Sequence, residues 1–269
     1  MKGKLIIIEA GDGSGKATQT KALYDHLQAD GHRVHRIEFP DYKDDSSALV
    51  RMYLGGAFGE KAADVNAYAA STFFAVDRFA SYQRKWRDYY EAGDIILADR
   101  YTTSNMVHQA VKLTDKTERE KFLDWLWDFE FNKMGLPVPD KVIFLDMAPE
   151  VADKLIAARA EETATKKDIH ERDTDYLHRC HNAYLELADK YKWDKVICNE
   201  GNNPRKIEDI HRDVYKLVDK LLKEYGVFND KGSFGGGRQD GRGGHRQGCR
   251  GRLHHHRRIQ SEKTGPQEY

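Results

Sequence analysis

Cysteine is scarce. Cys180, Cys198 and Cys249 are the only three in 269 residues, and they stand far apart. With no C-x-x-C pair and no framework of bridges, a disulfide-stapled fold is excluded and a reducing compartment is expected. Long apolar runs are also lacking; none approaches the ~20 residues of a membrane span. Lys2 and Lys4 lead directly into a short apolar segment, without a signal-peptide pattern. The expectation is a soluble cytoplasmic protein with no membrane partner. Net charge is absent too, with 44 basic residues against 44 acidic ones. That balance conceals a division: residues 231–269 carry +6 and residues 1–230 carry −6. The body is therefore not expected to bind nucleic acid through a basic surface.

What is present begins with Leu5-Ile6-Ile7-Ile8-Glu9-Ala10, a strand-like run, followed by Gly11-Asp12-Gly13-Ser14-Gly15-Lys16-Ala17-Thr18. This is the layout of a phosphate-binding loop: glycines let backbone N–H groups turn inward around an anion, and the helix that follows adds its positive end. Lys16 supplies a mobile charge for β- and γ-phosphates. The match to G-x-x-x-x-G-K-[ST] departs at Ala10, in place of the first glycine, and at Ala17, in place of the Mg²⁺-binding hydroxyl.

Beyond the loop, strands and helices alternate. Strands are expected at 4–9, 33–39, 94–98, 141–146 and 195–198. Helices are expected at 15–29, 44–58 (with Leu49, Met52 and Tyr53 on one side), 62–91, 103–111, 117–134, 149–162, 171–191 and 204–225. The fold class is α/β, a five-stranded parallel sheet with helices on both faces. Residues 231–269 hold ten glycines and seven arginines. So few aliphatic side chains cannot offset chain ordering, so a disordered basic tail is expected beyond a 1–230 domain. Its composition permits weak RNA contact through charge, or no function at all.

Two further constellations bear chemistry. Asp99-Arg100 closes the third strand, at the sheet edge where ligands bind in doubly wound folds. The acid could hold Mg²⁺ and the arginine could clamp a phosphate, or the two could form a surface ion pair. Phe74 and Arg78 share a helical face, available to sandwich and hydrogen-bond a base or simply to fill the core.

In the order and spacing of these segments, residues 4–225 resemble the thymidylate kinases, P-loop enzymes that phosphorylate dTMP with ATP. The resemblance is carried by Glu9 through Gln19, Phe39-Pro40, Phe74 through Arg78, Asp99 through Ser104 with Gln109, Leu145 through Glu150, and Asp168 through Glu171. It implies a P-loop kinase fold acting in dTTP biosynthesis as a homodimer, with Mg²⁺ held largely by water, phosphate and Asp99. ATP would lie against Gly11, Asp12, Gly13, Ser14, Gly15, Lys16, Ala17, Thr18 and Arg159. In the acceptor site, Asp12 would take the sugar 3′-OH, Phe74 would stack on thymine, Arg78 would donate to a base carbonyl and Arg100 would bind the phosphate. Phe39, Ser104 and Gln109 would complete that pocket. Because Gly13 offers no cation, a lid at about 159–172 would add positive charge to Lys16, Asp99 and Arg100 at the reaction centre, with Arg159, Lys166, Lys167 and Arg172 as candidates. The alternatives are another nucleoside or nucleotide kinase of this fold, or an inactive kinase-like module that holds RNA through its tail.

Overall fold

Successive residues of the first strand face opposite layers, and this alternation organises the whole domain. In the computed structural model, β1 (Lys4–Ala10) sends Leu5 and Ile7 into one core and Ile6 and Ile8 into another. The structure describes residues 2–162, 169–170 and 173–226, without the side chains of 159–162. All of them lie in the first of two units, Met1–Gly232. The tail expected at 231–269 lies outside the described residues, as does the centre of the expected lid.

The sheet is fully parallel. Around β1 it contains β2 (Val34–Glu38), β3 (Ile95–Asp99), β4 (Lys141–Asp146) and β5 (Asp194–Ile197), in the order β2-β3-β1-β4-β5. The five-stranded α/β expectation is therefore met. Among the described residues the one unexpected pairing is a two-residue hairpin, Asn199–Glu200 against Asn203–Pro204.

Helices cover both faces. On one side lie α1 (Lys16–Ala29), α7 (Pro149–Glu162) and α9 (Ile207–Glu224), burying Leu23, Leu27, Val151, Val214 and Val218 against the even-numbered side chains of β1. On the other lie α3 (Ala67–Ser81), α4 (Arg87–Glu91), α5 (Thr102–His108), α6 (Lys116–Trp127) and α8 (Thr174–Tyr191). These bury Tyr90, Val107, Phe122, Leu126 and Tyr184 against Leu5, Ile7 and Phe144. A small third cluster joins α2 (Ala48–Leu54) to α3 through Val50, Tyr53, Leu54 and Ala70, and Ile169 plugs into it.

Three sequence expectations need correction. The segment 44–58 is a 3₁₀ turn (Asp45–Ser47) followed by α2, and its buried side is Val50, Tyr53 and Leu54. Leu49 and Met52 are exposed. The expected helix 62–91 is broken by extended residues and then by a π turn at Tyr82–Trp86. The expected helix 117–134 ends as a second π turn, Asp128–Lys133. Periodicity reports which residues are apolar. It does not register one extra residue inserted in a turn, and π turns of this kind gather at functional sites.

The amino end of β1 is packed closely enough to demand glycine. Gly3 N donates to Tyr90 O at 2.6 Å, and a Cβ at Gly3 would fall 1.9 Å from Asp94 O. Gly3→Ala is therefore expected to cost about 1–3 kcal/mol through forced backbone displacement. A denaturant midpoint equal to that of the parent protein would refute this close packing.

Candidate active site

Register brings the chemistry together. Ile8 of β1 lies opposite Asp99 of β3, so the glycine loop that follows β1 opens beside Asp99-Arg100 at the carboxyl edge of the sheet. Within the loop, Gly13 and Gly15 both adopt φ +76°, a conformation that side chains resist. Gly15 is the N-cap of α1, and no side chain caps that end, which suits the first-turn N–H groups to an anion. Ala17 and Thr18 are exposed on the first turn.

Lys16 Nζ pairs with Asp99 Oδ1. Burial first, and then Arg100, hold the Lys16 ammonium below its ordinary range, while Asp99 pulls it back up. Arg100 Nη2 donates to Asp12 Oδ1 at 2.5 Å, and its Nη1 reaches Ser104 Oγ at 3.3 Å and Tyr184 Oη at 3.2 Å. Burial opposes the guanidinium charge, but Tyr184, Asp12, Glu9 and Asp99 outweigh it and raise the Arg100 pKa further. Arg100 itself sits at φ 67°, in the left-handed region.

A pocket extends from Asp12 and Arg100 along α3 and α5. Phe39, Phe74, Arg78, Ser104 and Gln109 all line it, so every acceptor-side residue named from the sequence is brought to one cavity. Phe74 meets the Tyr53 ring edge-on at 6.1 Å and 87°. Arg78 is buried against Glu130. Gln109 is buried, with neither amide atom partnered among the described residues. Such an amide in a pocket wall costs free energy until a ligand satisfies it. On the donor side, Lys166, Lys167 and the Arg159 side chain lie outside the described residues.

Gly13 has a second constraint. A Cβ there would fall 2.6 Å from Ile156 Cγ1 and 2.8 Å from Ala152 O, both on α7. Tyr42 also lines the pocket, and the nearby Arg51 is committed to its own loop, donating to Tyr42 O at 3.0 Å and Asp44 O at 2.8 Å.

Sequence reasoning assigned no role to several residues that build this site. Glu9, fully buried, accepts from Thr103 Oγ1 at 2.5 Å, Ser104 Oγ at 2.9 Å and Tyr184 Oη at 3.0 Å. Its signal was available: an acid interrupting an apolar strand. His108 and His170 line the pocket and stack at 5.7 Å and 7°. His170 Nε2 contacts Tyr53 Oη at 2.9 Å, and Lys112 Nζ donates to the same hydroxyl at 2.9 Å. Burial lowers Lys112 to about 7. No spacing in the chain announces this group, because its members come from four separate elements.

A lysine loop and an independent anion-holding arginine, set side by side at one sheet edge, place the protein among the P-loop kinases, which hold two phosphate-bearing substrates next to each other. Comparison with known proteins narrows this. The family model described as Thymidylate kinase matches residues 8–214. A thymidylate kinase of Mycobacterium tuberculosis is 33% identical over 189 residues, covering 68% of this chain and 85% of that one. A probable thymidylate kinase of Thermococcus gammatolerans is 28% identical over 222 residues, covering 82% and 98%. The solved thymidylate kinase of Candida albicans shares the fold, with a TM-score of 0.62 at 22% identity over 81% of this chain and 92% of that one. The chain belongs to the thymidylate kinase family.

The stacked histidines make the pocket acid-sensitive. Burial, and then Lys112, lower His170 to about 4, and burial with Arg100 holds His108 well below 6.5. The unfolded chain takes up these protons near pH 6.5 while the folded chain refuses them, so stability falls as pH drops from about 6.5 toward 4. His170→Gln is expected to flatten that fall in thermal midpoint. An identical pH slope in the variant would show that His170 titrates freely.

Proposed function

We propose that this chain transfers the γ-phosphoryl group of ATP to dTMP, giving dTDP and ADP in the supply of dTTP, with the residues of the described pocket in the following roles. Lys16 and the open amino end of α1 hold the β- and γ-phosphates. Arg100 takes the dTMP phosphate, Asp12 accepts from the sugar hydroxyl, and Phe74 stacks on the base. Arg78 donates to a base carbonyl, while Ser104 and Gln109 complete the wall. Arg159, Lys166 and Lys167 supply further cations from the 159–172 segment. The single observation that carries this reading is Arg100 bridging Asp12 of the phosphate loop and Ser104 of the adjoining pocket. Phosphoryl transfer asks chiefly for alignment and positive charge, and this bridge supports both.

Mg²⁺ fits the donor set at the loop mouth. Asp99 presents a carboxylate there beside Lys16, and one such carboxylate with phosphate oxygens and water suffices for this ion. Held there by Asp99, the ion would supply charge neutralisation at the phosphates. Among the described residues no helix is long and apolar enough to cross a membrane. The family membership disfavours an inactive RNA-holding module.

The chain acts as a homodimer in this proposal. α2 and α3 pack together and leave Leu49, Met52, Val76 and Phe79 exposed, and a second copy would cover them. Sedimentation at micromolar concentration is expected to report twice the chain mass, and a single-chain mass would remove the dimer from the proposal.

The activity is tested by ADP release with ATP, Mg²⁺ and each nucleoside monophosphate in turn. dTMP is expected to be the best acceptor, and a dTMP signal no greater than the acceptor-free control would refute the reading. Lys16→Ala should lower turnover by at least about a hundredfold without unfolding the chain. Arg100→Ala should raise the KM for dTMP by the equivalent of about 1.5–3 kcal/mol and spare that for ATP.

A further inference from the structure

The end of α6 departs from α-helical geometry as the π turn Asp128–Lys133, and this turn carries a fully buried acid, Glu130. Both carboxylate oxygens face the pocket arginine of α3. Arg78 Nε donates to Oε2 at 2.7 Å and Arg78 Nη2 donates to Oε1 at 2.5 Å. A third donor, Thr102 Oγ1, reaches Oε2 at 2.6 Å. Arg78 and Glu130 have side-chain exposures of 1% and 0%.

We infer that Glu130 is a positioning residue for acceptor recognition, locking the Arg78 guanidinium in the one orientation that faces the base. The inference rests on the proposed role of Arg78 toward the acceptor base. A guanidinium offers five N–H groups in a rigid fork. Glu130 occupies the Nε/Nη2 edge in bidentate fashion, which fixes the plane of the group and directs its remaining donors away from Glu130. A lysine or an unpaired arginine in the same dry wall would have no such fixed direction.

Thr102 extends the lock. It opens α5, two residues after Arg100, so one carboxylate ties the wall that carries Arg78 to the turn that carries Arg100. The separation between base and phosphate contacts on the acceptor is therefore set by Glu130 rather than by either arginine alone. The π turn has a purpose in this arrangement: it brings Glu130 inward, and Leu136 N donates to Glu130 O at 3.0 Å to hold the turn.

The test uses the full chain and four variants, each checked by thermal midpoint. Glu130→Gln keeps the shape but turns an N–H donor toward Arg78. The KM for dTMP is expected to rise at least ~tenfold while that for ATP stays within about twofold. Glu130→Asp keeps the charge with a shorter reach and should give an intermediate rise; it carries the test if Glu130→Gln does not fold. Arg78→Met should raise the dTMP KM by itself, and adding Glu130→Leu should raise it little further, because without Arg78 neither the carboxylate fork nor the tie to Thr102 has a base contact left to align. If Arg78→Met raises the dTMP KM but neither Glu130 substitution does, the positioning role is wrong and the base contact stands. If Arg78→Met leaves that KM unchanged, the base contact itself is wrong and the inference falls with it. Equal rises in the dTMP and ATP constants would reduce Glu130 to a purely structural residue and overturn the proposal.

Discussion

A carboxyl group buried in the middle of a hydrophobic sheet has to be surrounded by donors, and the site is built around that requirement. Glu9 on β1 is fully buried. The backbone N–H of Tyr101 and the hydroxyls of Thr103, Ser104 and Tyr184 converge on it. Three of these four donors lie just after Asp99-Arg100, so satisfying Glu9 draws the start of α5 onto β1. The left-handed backbone at Arg100, which ordinarily costs on the order of 1–3 kcal/mol, is clamped from both sides. Its own N–H bonds to Ile8 O, and the next N–H bonds to Glu9. Removing the Glu9 carboxyl would leave several buried donors unpaired and release that turn.

The pocket and the phosphate loop beside it repeat the same device. Three of their positive groups are each held by a carboxylate: Lys16 of the loop by Asp99, and Arg100 and Arg78 of the pocket by Asp12 and Glu130. Preformed dipoles of this kind need little reorganisation when charge develops, which is the main electrostatic advantage a phosphoryl-transfer site can have. The polar layer of Tyr53, Lys112, His108 and His170 lies behind them and keeps the pocket floor hydrogen-bonded although it is largely buried.

Local signals carried the fold and part of the site. β1, β3 and β4 were legible because buried parallel strands read as unbroken aliphatic runs. The phosphate loop and Asp99-Arg100 were legible because each is contiguous in sequence and ends a strand. Phe74 and Arg78 were placed on one helical face by spacing, yet whether that face met a pocket or the core was open until α3 was seen against α5. Glu130 was invisible as a partner of Arg78, since the pair is separated by 52 residues and joined through a π turn that periodicity cannot register. Leu49 and Met52 show the same weakness: spacing put them on one side with Tyr53, and in the structure Tyr53 is buried beside Val50 and Leu54 while Leu49 and Met52 are exposed.

The contact between α7 and the phosphate loop has an evolutionary consequence. Because a Cβ at Gly13 would collide with Ile156 and the Ala152 carbonyl, an arginine at this position requires α7 to move as well. A lineage moving from this arrangement toward a cation at position 13 would have to shift α7 itself, since the Ala152 carbonyl stands 2.8 Å from that Cβ whatever residue occupies position 156. The close seat of α7 thus acts as a historical ratchet, holding position 13 of the loop to glycine.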